Sequence, residues 1–214
     1  MNFKKYKHVI WDWNGTIFND VKLCCDIMNV LLSRRDIKKI SIEEYKNVFT
    51  FPVKEYYKIV GHDISDANWE IISHEFMDEY EKNKKHYRLY ENAEKVIAHF
   101  SQLKITQSVL SAYSQNTLDE LIQHFHLRNY FIRLIGLDNI YAEGKLDNGL
   151  KWMKELGHKS GEVLLIGDTV HDFEVAKEIG ADCLLISDGH QSKEKLLKFT
   201  KNVVDSLGDI LKDI

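Results

Sequence analysis

The sequence is short of several things, and each shortage closes off a class of protein. It has no excess of positive charge. Its 29 Lys and Arg residues face 33 Asp and Glu spread over 214 positions, a formal net charge of −4. No basic face able to neutralise a nucleic-acid backbone can be read from that balance, so nucleic acid is not expected as a partner. Cysteine occurs three times, as the adjacent Cys24 and Cys25 and the solitary Cys183. An odd count without metal-type spacing predicts reduced thiols at small core positions in a cytoplasmic protein. Long apolar runs are absent as well. Behind Lys4, Lys5 and Lys7, the stretch from Val9 to Trp13 is interrupted by Asp12. It is too short for a signal or spanning helix, and no membrane association is expected. Proline occurs once, at Pro52 within FTFPV; the residue before it is pushed out of helix, which predicts a loop there between two helices. No repeat or low-complexity tract is visible.

A hydrophobic content of 44% suffices for one substantial core, or for a core and a smaller lid. Five short apolar runs read as strands: His8–Trp13, Ile105–Leu110, Ile132–Leu137, Val163–Gly167 and Cys183–Ser187. Longer helical segments separate them, the pattern of a parallel sheet with crossover helices. From Val163 to Ser187 the chain reads VLLIGD, then a helix with Phe173, Ala176 and Ile179 on one face, then CLLIS. This is a βαβ unit whose helix ends at Gly180. The segment 19–86 differs, with Leu, Ile, Tyr and Phe recurring among charges at three-to-four spacing, and reads as an inserted helical unit. The expected organisation is therefore an α/β, Rossmann-like parallel sheet of five to six strands with helices on both faces, formed by residues 1–18 and 87–214, plus a helical cap at 19–86. A monomer or homodimer is expected.

In an open parallel sheet, functional groups gather beyond the carboxyl ends of the strands. After the first run stand Asp12, Trp13, Asn14, Gly15 and Thr16; after the second, Ser111 and Ala112; after the fourth, Asp168, Thr169 and Asp172. Three carboxylates at one edge would repel and raise one another's pKa unless a cation sat among them. Oxygen donors with few carboxylates suit Mg²⁺. Lys145, in AEGKLDNG, lies between these clusters in sequence and is the candidate cationic side chain.

The ordered set DWNGT at 12–16, VLS at 109–111, Lys145 and GDTVHD at 167–172 resembles the haloacid dehalogenase superfamily, and in particular its phosphoglycolate-phosphatase-like members with a helical cap after the first motif. The resemblance spans nearly the whole chain, including RLYENAEKVIAHF and NVVDSLGDI. It implies a magnesium-dependent phosphatase of small phosphorylated metabolites in which Asp12 attacks phosphorus and forms an aspartyl-phosphate. Mg²⁺ would be held by Asp12, by the main-chain carbonyl of Asn14 and by Asp168, with Asp172 completing the metal site or orienting Lys145. Ser111 and the backbone N–H groups near Trp13 and Ala112 would bind the phosphoryl oxygens, and Lys145 would offset their charge.

The chain departs from the family's pattern at Asn14, where the phosphatases place the Asp that protonates the leaving oxygen. An amide has no titratable proton to give. A slow enzyme, or one selective for acyl phosphates, aryl phosphates or pyrophosphate, is therefore implied. The other readings are a protein that binds phosphorylated ligands without efficient turnover and a metal-independent dehalogenase, against which the acids of GDTVHD speak. In the cap, FTFPVKEYY falls roughly where the family reads substrate, which makes Thr50 and Lys54 candidate contacts. Arg34, Arg35, Lys38 and Lys39 read as a solvated face. Tyr56, Tyr57, Trp69 and Phe76 read as the cap's own packing, and His171 as a surface histidine.

Overall fold

The computed structural model describes residues 2–142 and 144–213; positions 1 and 214, the ends of the expected core, lie outside them. Six strands, β1 (His8–Trp11), β4 (Thr106–Ser114), β5 (Arg133–Leu137), β6 (Val163–Gly167), β7 (Asp182–Ile186) and β8 (Val203–Val204), form one parallel sheet in the order β5-β4-β1-β6-β7-β8. Two short strands, β2 (Phe18–Asn19) and β3 (Arg88–Leu89), pair separately and antiparallel. Helices α5 (Ala93–Gln102), α6 (Gln115–His124), α7 (Lys145–Leu156) and α8 (Val170–Ile179) connect the sheet strands, and the short α9 (Lys193–Leu196) and α10 (Leu207–Ile210) come after them.

The sheet is covered on both sides, which is why its strands are continuous apolar runs rather than alternating ones. Val9 and Trp11 point into a cluster with Val96, Phe100 and Leu118, whereas Ile10 joins Trp152, Leu165, Val175 and Ile179 on the opposite face. Helix α8 begins with a capping box between Thr169 and Asp172 and stops at Gly180, whose φ is 75°. Its hydroxyl–carboxylate start and left-handed glycine end are the local reasons for its length.

Helices α1 (Val21–Ser33), α2 (Ile42–Val48), α3 (Val53–Ile59) and α4 (Asp66–Asn83) all fall between β2 and β3, with Pro52 standing between α2 and α3. Their buried side chains Met28, Leu31, Tyr45, Tyr56 and Ile72 are continuous with the apolar cluster that holds Val9 and Trp11. Hydrogen bonds tie them down at two corners. Ser192 N donates to Lys46 O at 3.2 Å, Lys195 Nζ to Phe49 O at 2.6 Å and Gln191 Nε2 to Phe49 O at 2.9 Å. At the other corner Tyr113 donates to Glu81 at 2.9 Å, and the buried Lys84 pairs with Glu120 at 2.6 Å.

β5 and β7 depart from the expected runs by a single residue, and larger differences occur at β1 and β4. β1 stops at Trp11 instead of Trp13, because the Trp13 carbonyl accepts from the N–H groups of Thr16, Ile17 and Phe18 in a tight turn. β4 continues beyond Leu110 to Ser114, and its pairing with β5 shifts register between those residues. The sixth strand comes from the NVV of the C-terminal segment, which is too short to stand out as an apolar run. Among the described residues no helix is long and apolar enough to cross a membrane.

Candidate active site

Strand register alone gathers the chemistry. β1 is central, β4 lies on one side of it and β6 on the other, so the chain reverses its winding direction at β1. A crevice forms at such a switch point, beyond the carboxyl ends of the strands. Trp11 pairs with Val109 and with Ile166, so Asp12, Ser111 and Asp168 emerge side by side. Carboxylate oxygens of Asp12, Asp168 and Asp172 all lie within 4.8 Å of one another.

Lys145, at the first turn of α7, enters this acidic cluster and bonds to both Asp12 and Asp172, the latter at 2.5 Å. Burial works against its charge, but the two carboxylates outweigh it and raise its pKa. Asp172 is held below the usual carboxylate range: burial opposes ionisation, while Lys145 and the Thr169 hydroxyl, at 2.6 Å, overcome it. Asp12 goes the other way. Burial, with the charges of Asp172 and Asp168, pushes it up to about 8 against the pull of Lys145. Burial likewise pushes Asp168 up to about 6, although His190 opposes it. One ammonium thus bonds two of the three carboxyl groups, and Asp168 is served by His190 instead. Lys145→Met would leave buried carboxylates without a counter-ion and is expected to lower metal-free stability by about 3–5 kcal/mol, the usual cost of breaking a buried pair from one side; urea denaturation checks it.

Two glycines allow this crowding. Gly15 has a φ of 72°, and a Cβ there would collide with the Asp168 carboxylate and the His190 ring. A Cβ on Gly189 would collide with Asp168 too. The backbone presses on the acid from both sides, so only glycine fits.

Asn14 is fixed by a network that sequence reading did not find. Its Nδ2 donates to Asp20 Oδ2 and to the Tyr80 hydroxyl, both at 2.8 Å, and Tyr80 in turn donates to Asp20 at 2.6 Å. Both acceptors lie on the amide nitrogen's side, so the network assigns Oδ1 to face Ser111 Oγ, 3.4 Å away. Asp20 also accepts from Gly15 N at 2.9 Å and pairs with His190 Nε2 at 3.2 Å. Burial opposes the ionisation of Asp20, yet His190, Tyr80 and Asn14 hold its pKa low. His190 completes the bridge, with its main-chain N–H donating to Asp168 Oδ2 at 2.6 Å and its Nδ1 on the Tyr45 hydroxyl at 2.8 Å. The carboxylate missing at position 14 therefore stands six residues later, bound by the Asn14 amide and neutralised by an imidazole.

The structure brings Asp12, Asn14, Ser111, Ala112, Lys145, Asp168 and Asp172 to the wall of one cavity. Trp13 is buried, its ring stacked on Phe18 with centroids 5.8 Å apart, and it does not line the cavity. Thr50 and Lys54 do not line the cavity. Lys54 pairs with Asp66 at 3.0 Å and Thr50 Oγ1 donates to the Phe51 carbonyl at 3.4 Å; the helix face that looks inward at this point carries Phe51, Val53 and Tyr57 instead. His171 was expected at the surface, but it lines the cavity with its ring stacked on Phe51 at 4.7 Å. Arg34 and Arg35 pair with Glu79 and Glu75 on the outer face. His190 was within reach of sequence reading: it comes after the fifth run as Asp168 comes after the fourth. Asp20 was not, since an acid after NGTIFN carries no sign of being buried.

Comparison with known proteins decides the family. The profile of haloacid dehalogenase-like hydrolases matches residues 9–186. The chain belongs to that family. It is 26% identical over 195 residues to a phosphoglycolate phosphatase of Aquifex aeolicus, covering 85% of each chain. It is 22% identical over 222 aligned positions to a phosphoglycolate phosphatase of Vibrio parahaemolyticus, covering 99% of this chain and 97% of that one. A predicted phosphatase of Clostridium acetobutylicum has the same fold, with a TM-score of 0.81 at 20% identity over 97% of both chains. In this haloacid dehalogenase fold the donors suit a hard divalent cation. The cluster offers carboxylate oxygens in excess of its one ammonium, and the raised pKa values of Asp12 and Asp168 mark a charge deficit that a cation would remove. Asp172 fits a ligand less well, because Oδ1 is taken by Lys145 and Oδ2 by Thr169 and the Asp168 N–H.

Proposed function

We infer that this protein is a phosphatase that hydrolyses small phosphorylated molecules with Asp12 as nucleophile. The observation that carries this reading is the floor of the cavity: a buried carboxylate, an ammonium bound to it, a second acid and a serine hydroxyl converge there. Asp12 attacks phosphorus to give an aspartyl-phosphate, which water then hydrolyses. Lys145 stays charged through both steps and offsets the charge on the phosphoryl oxygens. Ser111 and the main-chain N–H groups near Trp13 and Ala112 orient those oxygens. Asp172 holds Lys145 in place, and helices α1–α4 act as a cap that excludes bulk water. Asp12, Asp168 and the main-chain carbonyl of Asn14 would hold Mg²⁺, which when bound supplies further positive charge to the transferring group.

Asn14 Oδ1, fixed toward Ser111, can accept a hydrogen bond but gives no proton, so turnover depends on how readily the leaving oxygen departs unprotonated. A compound such as acetyl phosphate is therefore the first substrate to try. Phosphate release is expected with Mg²⁺ and to disappear with a chelator; release that persists in chelator would contradict the reading. The pKa shifts add a signed test. A carboxyl group raised on folding stabilises the fold at low pH and loses that contribution as pH rises through its folded value. The buried His8 and His62 and the half-buried His171 have lowered pKa values and act oppositely, but their contribution is complete above about pH 6.5. Above that point Asp12 and His190, whose pKa, despite burial, the surrounding acids raise, both lose their contribution, so the metal-free melting temperature is expected to fall toward about pH 8.5. Mg²⁺ binds the ionised acids, so its stabilising shift should grow from about pH 6 to about pH 8.

A further inference from the structure

The space above the floor is walled by aromatic rings. Tyr57 and Trp69 meet edge to face at 5.1 Å, Tyr80 and Tyr113 at 5.3 Å, and Phe76 and Tyr141 extend the two groups. Such a surface takes planar apolar groups by burial and by edge or offset ring contact.

Cations for a second anionic group are missing. Among the described residues lining the cavity there is no arginine, and the one lysine is Lys145, already bound to Asp12 and Asp172. His190 is committed to Asp20, Tyr45 and Asp168, and His171, the other histidine of the lining, stacks on Phe51 with its Nδ1 3.9 Å from Glu174. Lys54, whose Nζ lies 6.0 Å from the centroid of the Trp69 ring, does not line the cavity and is paired with Asp66, and Arg34 and Arg35 are paired with Glu79 and Glu75. A substrate carrying a carboxylate beside its phosphate would bury that charge without an unpaired lysine or arginine to neutralise it, which is unfavourable.

Asn14 points the same way by a separate route. Without a proton donor, leaving groups rank by the basicity of their oxygen. A phenol titrates near 10, as tyrosine does, and an alkyl alcohol near the value of water, about 15.7. The aryl oxygen departs as an anion far more readily.

We propose that the substrate class is aryl phosphate monoesters with an uncharged ring, held by the Tyr57–Trp69 and Tyr80–Tyr113 walls, and that carboxylated phosphates such as phosphoglycolate are excluded. This rests on the phosphatase reading above. In the first step an Asp12 oxygen forms a bond to phosphorus while the bond from phosphorus to the aryl oxygen breaks, and the phenolate leaves with the electron pair and takes its proton from water. Water then attacks the aspartyl-phosphate, restoring the Asp12 carboxylate and releasing inorganic phosphate.

The test is a comparison, with Mg²⁺, of acetyl phosphate, phenyl phosphate, 4-carboxyphenyl phosphate and phosphoglycolate. Binding of the non-hydrolysable phenylphosphonate and phosphonoacetate to the same protein is measured alongside. Phenyl phosphate is expected to exceed phosphoglycolate in kcat/KM by at least about 100-fold and 4-carboxyphenyl phosphate by at least about tenfold, with phenylphosphonate binding more tightly than phosphonoacetate. Trp69→Ala should raise KM for phenyl phosphate at least about tenfold more than for acetyl phosphate. Turnover of acetyl phosphate together with equal or better turnover of phosphoglycolate overturns the substrate class and leaves the phosphatase reading standing. No phosphate release from any compound, with phenylphosphonate still preferred, overturns the phosphatase reading and upholds the ring pocket.

Discussion

Asp12→Asn is expected to reduce phosphate release from acetyl phosphate by about 10⁴- to 10⁶-fold, the scale on which removal of a covalent nucleophile acts, while leaving the fold intact. The second half of the expectation separates it from ordinary loss of structure. In the metal-free protein the Asp12 carboxyl is pushed up by burial and by neighbouring acids, so its charged form opposes folding at alkaline pH. A neutral amide of the same shape removes that opposition, and Lys145 keeps Asp172 as its partner. At about pH 8 and without Mg²⁺, the variant should melt no lower than the parent, and Mg²⁺ should stabilise it less. A large fall in melting temperature would mean that Asp12 mainly supports the structure. The contrast with Lys145→Met is the useful comparison, since one variant removes a destabilising charge and the other removes its compensation.

The second large effect concerns the exchanged positions 14 and 20. Restoring an acid with Asn14→Asp alone sets a carboxylate oxygen against Asp20 Oδ2, where the amide nitrogen now sits at 2.8 Å. Two buried carboxylates at that distance cannot both ionise. The single variant is therefore expected to lose stability and gain little activity. Combining Asn14→Asp with Asp20→Asn reverses the sense of the same hydrogen bond. The amide at position 20 donates to the new acid and its carbonyl still accepts from Gly15 N. This double variant should raise kcat/KM on an alkyl phosphate by about 10²- to 10⁴-fold, the usual contribution of general acid–base catalysis, with a much smaller gain on phenyl phosphate. Steady-state kinetics on the two esters measures it. A well-folded double variant with no preferential gain on the alkyl ester would show that Asn14 is not what limits turnover.

The floor of the site was legible in the sequence because strand ends are legible. Val163–Gly167 and His8–Trp11 are continuous apolar runs, and in a parallel sheet the residues just beyond the carboxyl end of each such run face the crevice. The helical segment was recognisable from its periodicity, but not which residues look inward. Thr50 and Lys54 were candidates by position in a motif. Their neighbours Phe51 and Val53 occupy the wall instead, since a turn between two helices can present either face and nothing local decides which. Tyr57, Trp69 and Phe76 read as the cap's own packing, yet they line the cavity, because a ring that packs a helix bundle and a ring that lines a cavity have the same spacing in sequence. The Asp20–His190 pair was hidden for another reason. Its members are 170 positions apart, and only the tertiary fold places an imidazole where it can keep a buried acid ionised.

The three free thiols sit at different depths of this architecture. Cys24 lines the cavity beneath Asp20, while Cys183 is packed within the sheet's second core. A thiol reagent can reach Cys24 once helices α1–α4 lift from the sheet, whereas Cys183 stays shielded until the strands themselves come apart. Alkylation rates at the two sulfurs thus act as separate clocks, one for local breathing of the enclosure and one for global unfolding, with no label added to the protein.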